Sequence, residues 1–179
     1  LNNLPNLSSD IFDTQAAVKE CRDLKYIDLA LKLAQQCKHE DLYIRILIED
    51  KKDYAQALEK IRTTSSLENK IRYIREYGQT LMANTPKETL AFIKRMVTLS
   101  TFRRIKFSSE RPLAPEEKEV FDYLCLPESD KERLNNIAFP KPDDFFHFFV
   151  VDNSQLEDYL EFLKRQKNLA SEKNERSLY

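Results

Sequence analysis

Proton-transfer chemistry near neutral pH would rest on His39 and His147, the chain's two histidines, because histidine is the side chain that titrates there unperturbed. A nucleophilic triad needs that histidine beside an activated serine or cysteine. The G-x-S-x-G turn that presents such a serine takes two glycines, and this chain has one, Gly78. P-loop and dinucleotide fingerprints fall by the same count, since their glycines let backbone close on phosphate. Cys37 and His39 stand two apart, which on a helix turns them away from each other. Cys21, Cys37 and Cys125 make no C-x-x-C pair and no zinc spacing, and read as ordinary thiols in a reducing compartment. Carboxylate pairs occur at Glu49–Asp50, Glu116–Glu117 and Asp143–Asp144. Neighbours on a helix diverge by roughly 100°, so each pair is expected to be solvated charge, with no two carboxylates converging on one atom. No catalytic, cofactor-binding or metal-binding residue is assigned, no cofactor is expected, and the partner-binding residues are unknown at this level.

Composition narrows the classes further. The 29 basic residues nearly balance the 30 acidic ones, for a net charge of −1, against the basic excess of a nucleic-acid binder. An RNA-binding helical repeat would need a basic stripe, yet Lys70, Arg72 and Arg75 have Glu68 and Glu76 beside them. No apolar run approaches the ~20 residues of a membrane span. A start at leucine suggests a piece of a longer protein.

The elements that would hold these residues are short amphipathic helices. Leu24, Ile27, Leu31 and Ala34 make one stripe, and Leu42, Tyr43, Ile46 and Leu47 the next. Tyr54, Ala57, Leu58 and Ile61, then Leu67, Ile71 and Ile74, then Leu90, Ile93 and Val97 continue the pattern. Capping boxes fit Asp53 with Gln56, Ser65 with Glu68, Thr85 with Glu88 and Ser154 with Glu157, with Pro86 and Pro115 as first helical residues. Gly78 is expected as the left-handed residue that closes a helix over 67–77. Helices of this length joined by a few residues pack as antiparallel pairs, and each pair leaves a flank for the next. The fold class is therefore all-α, an α-solenoid of antiparallel helical pairs. The organisation expected is helical pairs over residues 1–99, an inserted connection with one short helix and freedom to move over 100–139, a last helical pair over 140–166, and a frayed charged tail over 167–179. Phe145, Phe146, Phe148 and Phe149 read first as core and second as an exposed partner anchor. The run Arg103, Arg104, Lys106 reads as a solvated loop ahead of a contact for an acidic lipid or protein patch.

Three blocks then carry a resemblance: DLYIRILIEDKKDYAQALEKI at 41–61, EYGQTLMANTPKETLAFIKRM at 76–96, and PDDFFHFFVVDNSQLEDYLEFL at 142–163. Together they resemble the clathrin heavy-chain repeat region of the vacuolar protein sorting-associated protein 11 family, with Glu49, Asp50, Tyr54, Ala57 and Leu58 on its motif positions. The 100–139 stretch does not align. The resemblance implies a scaffold role in the HOPS and CORVET tethering complexes, which join endosomal to vacuolar or lysosomal membranes before fusion. It implies the other tethering subunits as partners, Rab GTPases and SNAREs through the complex, and no nucleic acid. It also implies a cytoplasmic location, peripheral on late endosome and vacuole or lysosome through the complex. The family's β-propeller and RING finger would lie elsewhere in the parent protein, and no catalytic residue is carried over. Alternatives are a clathrin-repeat coat or sorting subunit and, from another class, an all-α hydrolase or transferase fragment, which would need a polar pocket of converging titratable groups.

Overall fold

A computed structural model describes residues 13–102, 107, 110–150 and 153–176, with side chains as far as residue 168. The run Arg103, Arg104, Lys106 lies outside the described residues. Eight α-helices follow in order among them: α1 Thr14–Asp23, α2 Ile27–Gln36, α3 Glu40–Ile46, α4 Tyr54–Thr63, α5 Leu67–Asn84, α6 Pro86–Phe102, α7 Pro115–Tyr123 and α8 Leu156–Arg176. A π turn, Leu47–Lys51, extends α3, and 3₁₀ segments occupy Glu128–Asp130, Arg133–Asn136 and Pro142–Val150. No strand occurs among the described residues. The chain is all-α, as its spacing predicts.

It divides into two compact units, up to Ala57 and from Leu58, so that α4 straddles the division. In the first unit α1, α2 and α3 pack in sequence around Val18, Ala30, Ala34, Ile44, Ile46 and Leu47, all 1% exposed or less. Three-residue connections force each helix back along its predecessor. Leu24 does not belong to the α2 stripe. It is the C-cap of α1 and stands 59% exposed. The turn is a Schellman motif, with Lys25 N–H donating to the Arg22 carbonyl at 3.0 Å and Tyr26 N–H to that of Cys21 at 2.8 Å. The motif repeats after α2, where Lys38 donates to Gln35 and His39 to Ala34.

The second unit has α5 against α6, with α6 also packing on α7 and α8 and the Pro142–Val150 segment on α5. Its core includes Ile74, Leu81, Phe92, Ile93, Met96, Phe121 and Tyr159, all 1% exposed or less. Pro86 and Pro115 open α6 and α7 as expected. Asp53 caps α4 by accepting from Gln56 N–H at 3.1 Å. The other caps differ. Ser66 rather than Ser65 accepts the orphan N–H of Asn69, and the Thr85 hydroxyl turns back to the Leu81 carbonyl at 3.0 Å and to Thr89 at 3.2 Å. Helix α8 opens at Leu156, two residues after Ser154, and stays helical to Arg176, through most of the expected tail.

Gly78 does not end a helix. Helix α5 runs on to Asn84, and the glycine lies inside it with no positive φ. Its hydrogen is needed because the Phe148 ring lies on the helix there: a Cβ at Gly78 would stand 2.5 Å from Cε2 of Phe148. Among the described residues the left-handed positions belong instead to Lys25, Lys38, Lys52 and Cys125, with φ between 50° and 64°.

Candidate partner-docking surface

In the first unit the polar centre is the Arg22 guanidinium on the last turn of α1. Its Nε donates to Asp50 at 2.6 Å and its Nη2 to Glu49 at 2.7 Å. These adjacent carboxylates do converge, contrary to the expectation from an α-helix. They sit on the π turn, where i→i+5 bonding widens the helix and changes the angle between neighbours, so two side chains grip one planar fork. Burial lowers the Arg22 pKa and the two carboxylates more than offset it, leaving a net upward shift. The turn ends at Lys52, φ 57°, with Asp53 N–H returning to the Leu47 carbonyl at 2.9 Å.

Beside the clamp a groove of about 480 Å³ opens between α1 and α3. Its floor is Val18, which is buried, and Leu42, which is half-buried. Lys19, Lys25 and Arg45 line it together with Asp23. The turn that contributes Lys25 also carries Leu24 and Tyr26, 59% and 61% exposed, and Leu29 on α2 is 49% exposed. Leu24, Tyr26 and Leu29 are the large apolar side chains that the first unit leaves exposed among the described residues.

The second unit uses its charges mostly for construction. Lys70, weighed from sequence as one cation of the stripe that an RNA-binding repeat would need, is 0% exposed. Its ammonium donates to the carbonyls of Arg62, at 2.8 Å, and Thr64, where the negative pole of α4 attracts a cation. Arg75 pairs with Asp144 at 3.6 Å and Glu68 with Arg133 at 3.3 Å, while Arg72 lies over the Tyr73 ring. Glu68, Arg72 and Arg75 line a second groove, of about 500 Å³, over Ile71 and Ile137. Arg62 and Arg95 both stand over the Tyr123 ring, 5.6 and 5.5 Å from its centroid. Arg62 also donates to the Tyr123 carbonyl at 2.7 Å and to the exposed Cys125 sulfur at 3.3 Å. Burial raises the Tyr123 phenol pKa, and the two arginines work against it.

Between α6 and the last 3₁₀ segment the described residues are tied down. Asn135 brackets Phe107 by accepting from its N–H at 3.0 Å and donating to its carbonyl at 2.8 Å. Lys131 reaches the Arg111 carbonyl, and Arg111 pairs at 2.8 Å with Glu117, whose other oxygen takes Ala114 N–H. Glu117 is thus a buried partner and not solvated charge, while Glu116 is exposed.

The aromatic run forms a nine-residue 3₁₀ helix where sequence spacing suggests an α-helix. Pro140 and Pro142 bring no N–H at its start, and Asp144 takes the Lys141 N–H. Residues i and i+3 eclipse in a 3₁₀ helix, which sets Phe145 and Phe148 on one side, both fully buried, with Phe149 stacked on Tyr159 at 5.2 Å. These are core residues. Asp143 and Asp144 are exposed. His147 and His39 are exposed, on separate units. Cys21 is half-buried and Cys37 exposed. No group of three metal-ligating side chains gathers among the described residues, and no helix there is long and apolar enough to cross a membrane.

The pattern defining the PEP5/VPS11 Clathrin repeat family matches residues 4–178. The vacuolar protein sorting-associated protein 11 homolog of Dictyostelium discoideum is 36% identical over 87 residues, which is 49% of this chain and 9% of that protein. The homologs of Arabidopsis thaliana and Homo sapiens are 30% and 33% identical over stretches of the same length and coverage. The aligned stretch is thus about a tenth of each relative. No solved structure matches. A match from residue 4 to residue 178 takes in both units and every described helix, and the chain belongs to the PEP5/VPS11 clathrin-repeat family.

Proposed function

We propose that this chain is a scaffold segment of the vacuolar protein-sorting machinery, an α-solenoid stretch of helical pairs whose work is to space and dock other subunits. The observation that carries this reading is the repeated helix–turn unit. Lys25, Lys38 and Lys52 fall thirteen and fourteen residues apart, each left-handed at the end of a short helical run. Successive helices of this kind each bury one flank against the next, pair on pair, and extend by addition. The relatives' names, which attach them to vacuolar protein sorting, support the cellular setting. On the same reading the parent acts in HOPS and CORVET tethering between endosomal and vacuolar or lysosomal membranes. Its role is non-catalytic, and Rab GTPases and SNAREs are met through the complex, on the cytoplasmic face. The division into helical pairs over 1–99, a connection over 100–139, a closing pair over 140–166 and a tail from 167 belongs to the same proposal.

Co-expression of the 179-residue chain with the remaining tethering subunits, followed by affinity purification, tests this directly. The scaffold reading expects stoichiometric recovery of at least one subunit, resistant to moderate salt. Recovery of none under conditions where the full-length parent recovers them would refute it.

A further inference from the structure

We infer that the outward flank of α8 pairs with α8 of a second copy of this chain, antiparallel and across a two-fold axis. The flank is defined by what α8 already uses. Tyr159 is 0% exposed and stacks on Phe149 and Phe162. Lys94 of α6 stands over the Phe162 ring, and Gln166 meets Thr101 of α6. Those residues share one side of the helix. Beside them Leu156, Leu160, Leu163 and Lys167 follow at spacings of four, three and four, the seam that a paired helix presents. Leu160 is 41% exposed, Leu156 and Leu163 are half-buried, and Lys167 is exposed.

Charge selects the occupant. Asp158 is held by Lys94 at 2.7 Å and Glu161 by Arg165 one turn on. Glu157 and Lys164 are exposed, and neither has a partner among the described residues. They lie two turns apart on the same edge of the seam, about 10 Å along the axis, too far to pair within one helix. A second α8 laid antiparallel, with Leu160 against Leu163 of the other copy, sets each Glu157 beside Lys164 of the other. The symmetry makes that pair twice. Leu156 then meets the methylene stem of Lys167. A parallel copy would instead set Glu157 level with Glu157 and Lys164 level with Lys164. With a net charge of −1, two copies approach without general repulsion. About three helical turns bury less than the roughly 1,200 Å² of a standard interface, so the association is weak. This inference goes beyond the scaffold reading and does not depend on it.

Sedimentation velocity of the 179-residue chain, from about 10 µM to about 500 µM, is the test. A concentration-dependent passage from monomer to dimer is expected, weakening as salt rises. Leu160→Lys changes an exposed position, so it should leave the thermal midpoint of dilute protein unchanged while weakening the dimer roughly tenfold or more. Glu157→Lys or Lys164→Glu alone should weaken it about fivefold to tenfold, since each reversal opposes like charges twice. The double swap re-forms both pairs with their signs exchanged and should return the affinity to within about threefold of the unaltered chain. This rescue separates pairing across the axis from damage to the fold, because Glu157 and Lys164 do not touch within one copy. A single monomeric mass at every concentration, a dimer indifferent to Leu160→Lys, or a double swap no better than the single reversals would each overturn the proposal. A chain that recovers tethering subunits yet stays monomeric overturns the self-pairing alone and leaves the scaffold reading standing.

Discussion

Substituting Gly78 by alanine tests the packing of the second unit most sharply, because two opposite effects meet at one methyl group. In the interior of α5 the change relieves glycine's conformational entropy, worth about 1 kcal/mol in favour of alanine. The new Cβ would then lie 2.5 Å from Cε2 of Phe148, and closer still to Cζ, where carbon pairs prefer roughly 3.5–4.0 Å. The ring must retreat by about 1 Å. It has little room, being 0% exposed, with the Phe145 ring 5.6 Å away and the His147 ring 4.3 Å away. Overpacking of this kind costs about 1–3 kcal/mol, and complete expulsion of the ring would approach the ~3–5 kcal/mol of a Phe→Ala truncation. After the helix gain is subtracted, a net destabilisation of up to about 2 kcal/mol is expected, read as a lower urea midpoint by far-UV circular dichroism.

A double-mutant cycle isolates the cause. Phe148→Leu alone costs about 1–2 kcal/mol as a partial truncation. It also vacates the space the methyl group needs, so Gly78→Ala on that background should be neutral or stabilising. The coupling energy should be about 1–3 kcal/mol, the range for residues in contact. Additivity within about 0.5 kcal/mol would refute the contact argument. The order of substitutions is a second check: Gly78→Asn should be worse than Gly78→Ala, being larger. At a left-handed helix terminus asparagine would be the better tolerated of the two.

Replacing Lys25 or Lys38 by glycine should raise stability by about 0.5–1 kcal/mol each in thermal melts, since the left-handed cost of roughly 1–2 kcal/mol outweighs the ~0.3–1 kcal/mol a lysine gains from the helix pole; a lowered midpoint would count against the turn geometry. Lys70→Met keeps most of the volume but strips a donor from the carbonyls of Arg62 and Thr64, and should cost about 1–3 kcal/mol by urea unfolding, with an unchanged midpoint showing that the ammonium caps nothing. Tyr159 has its phenol pKa raised above the ordinary 10.0 by burial, with Asp143 and Asp144 adding to it. The folded state therefore holds that proton after the unfolded state has lost it, so stability should fall as pH rises past 10. Tyr159→Phe loses the hydrogen bond to the Pro142 carbonyl yet should flatten that alkaline slope, and an equally steep slope in the variant would locate the titration elsewhere.

What could be read from sequence followed from periodicity, and what could not followed from local backbone geometry that periodicity does not encode. Apolar residues at i, i+3 and i+4 marked α4, α5 and α6 because the buried face of a helix must repeat in that way, and Ala57, Ile61, Ile74 and Ile93 are indeed fully buried. Gly78 was misread because glycine inside a helix and glycine ending one leave the same letter, and the difference lies in a phenylalanine seventy positions along the chain. The left-handed turns were invisible for the complementary reason. Lysine at three of the four described positions and cysteine at the fourth, never glycine, occupy them, and the left-handed φ of Lys25 and Lys38 is offset by Schellman bonds and by the helix pole each faces. The repeat of lysine after each short helical run was the available signal, since a cation at that place complements the helix end whatever its φ. Glu49 and Asp50 show the same gap at the site itself. Their divergence follows for an α-helix, and only the π turn lets both reach Arg22. A groove that depends on such a turn is therefore open to structure before it is open to sequence.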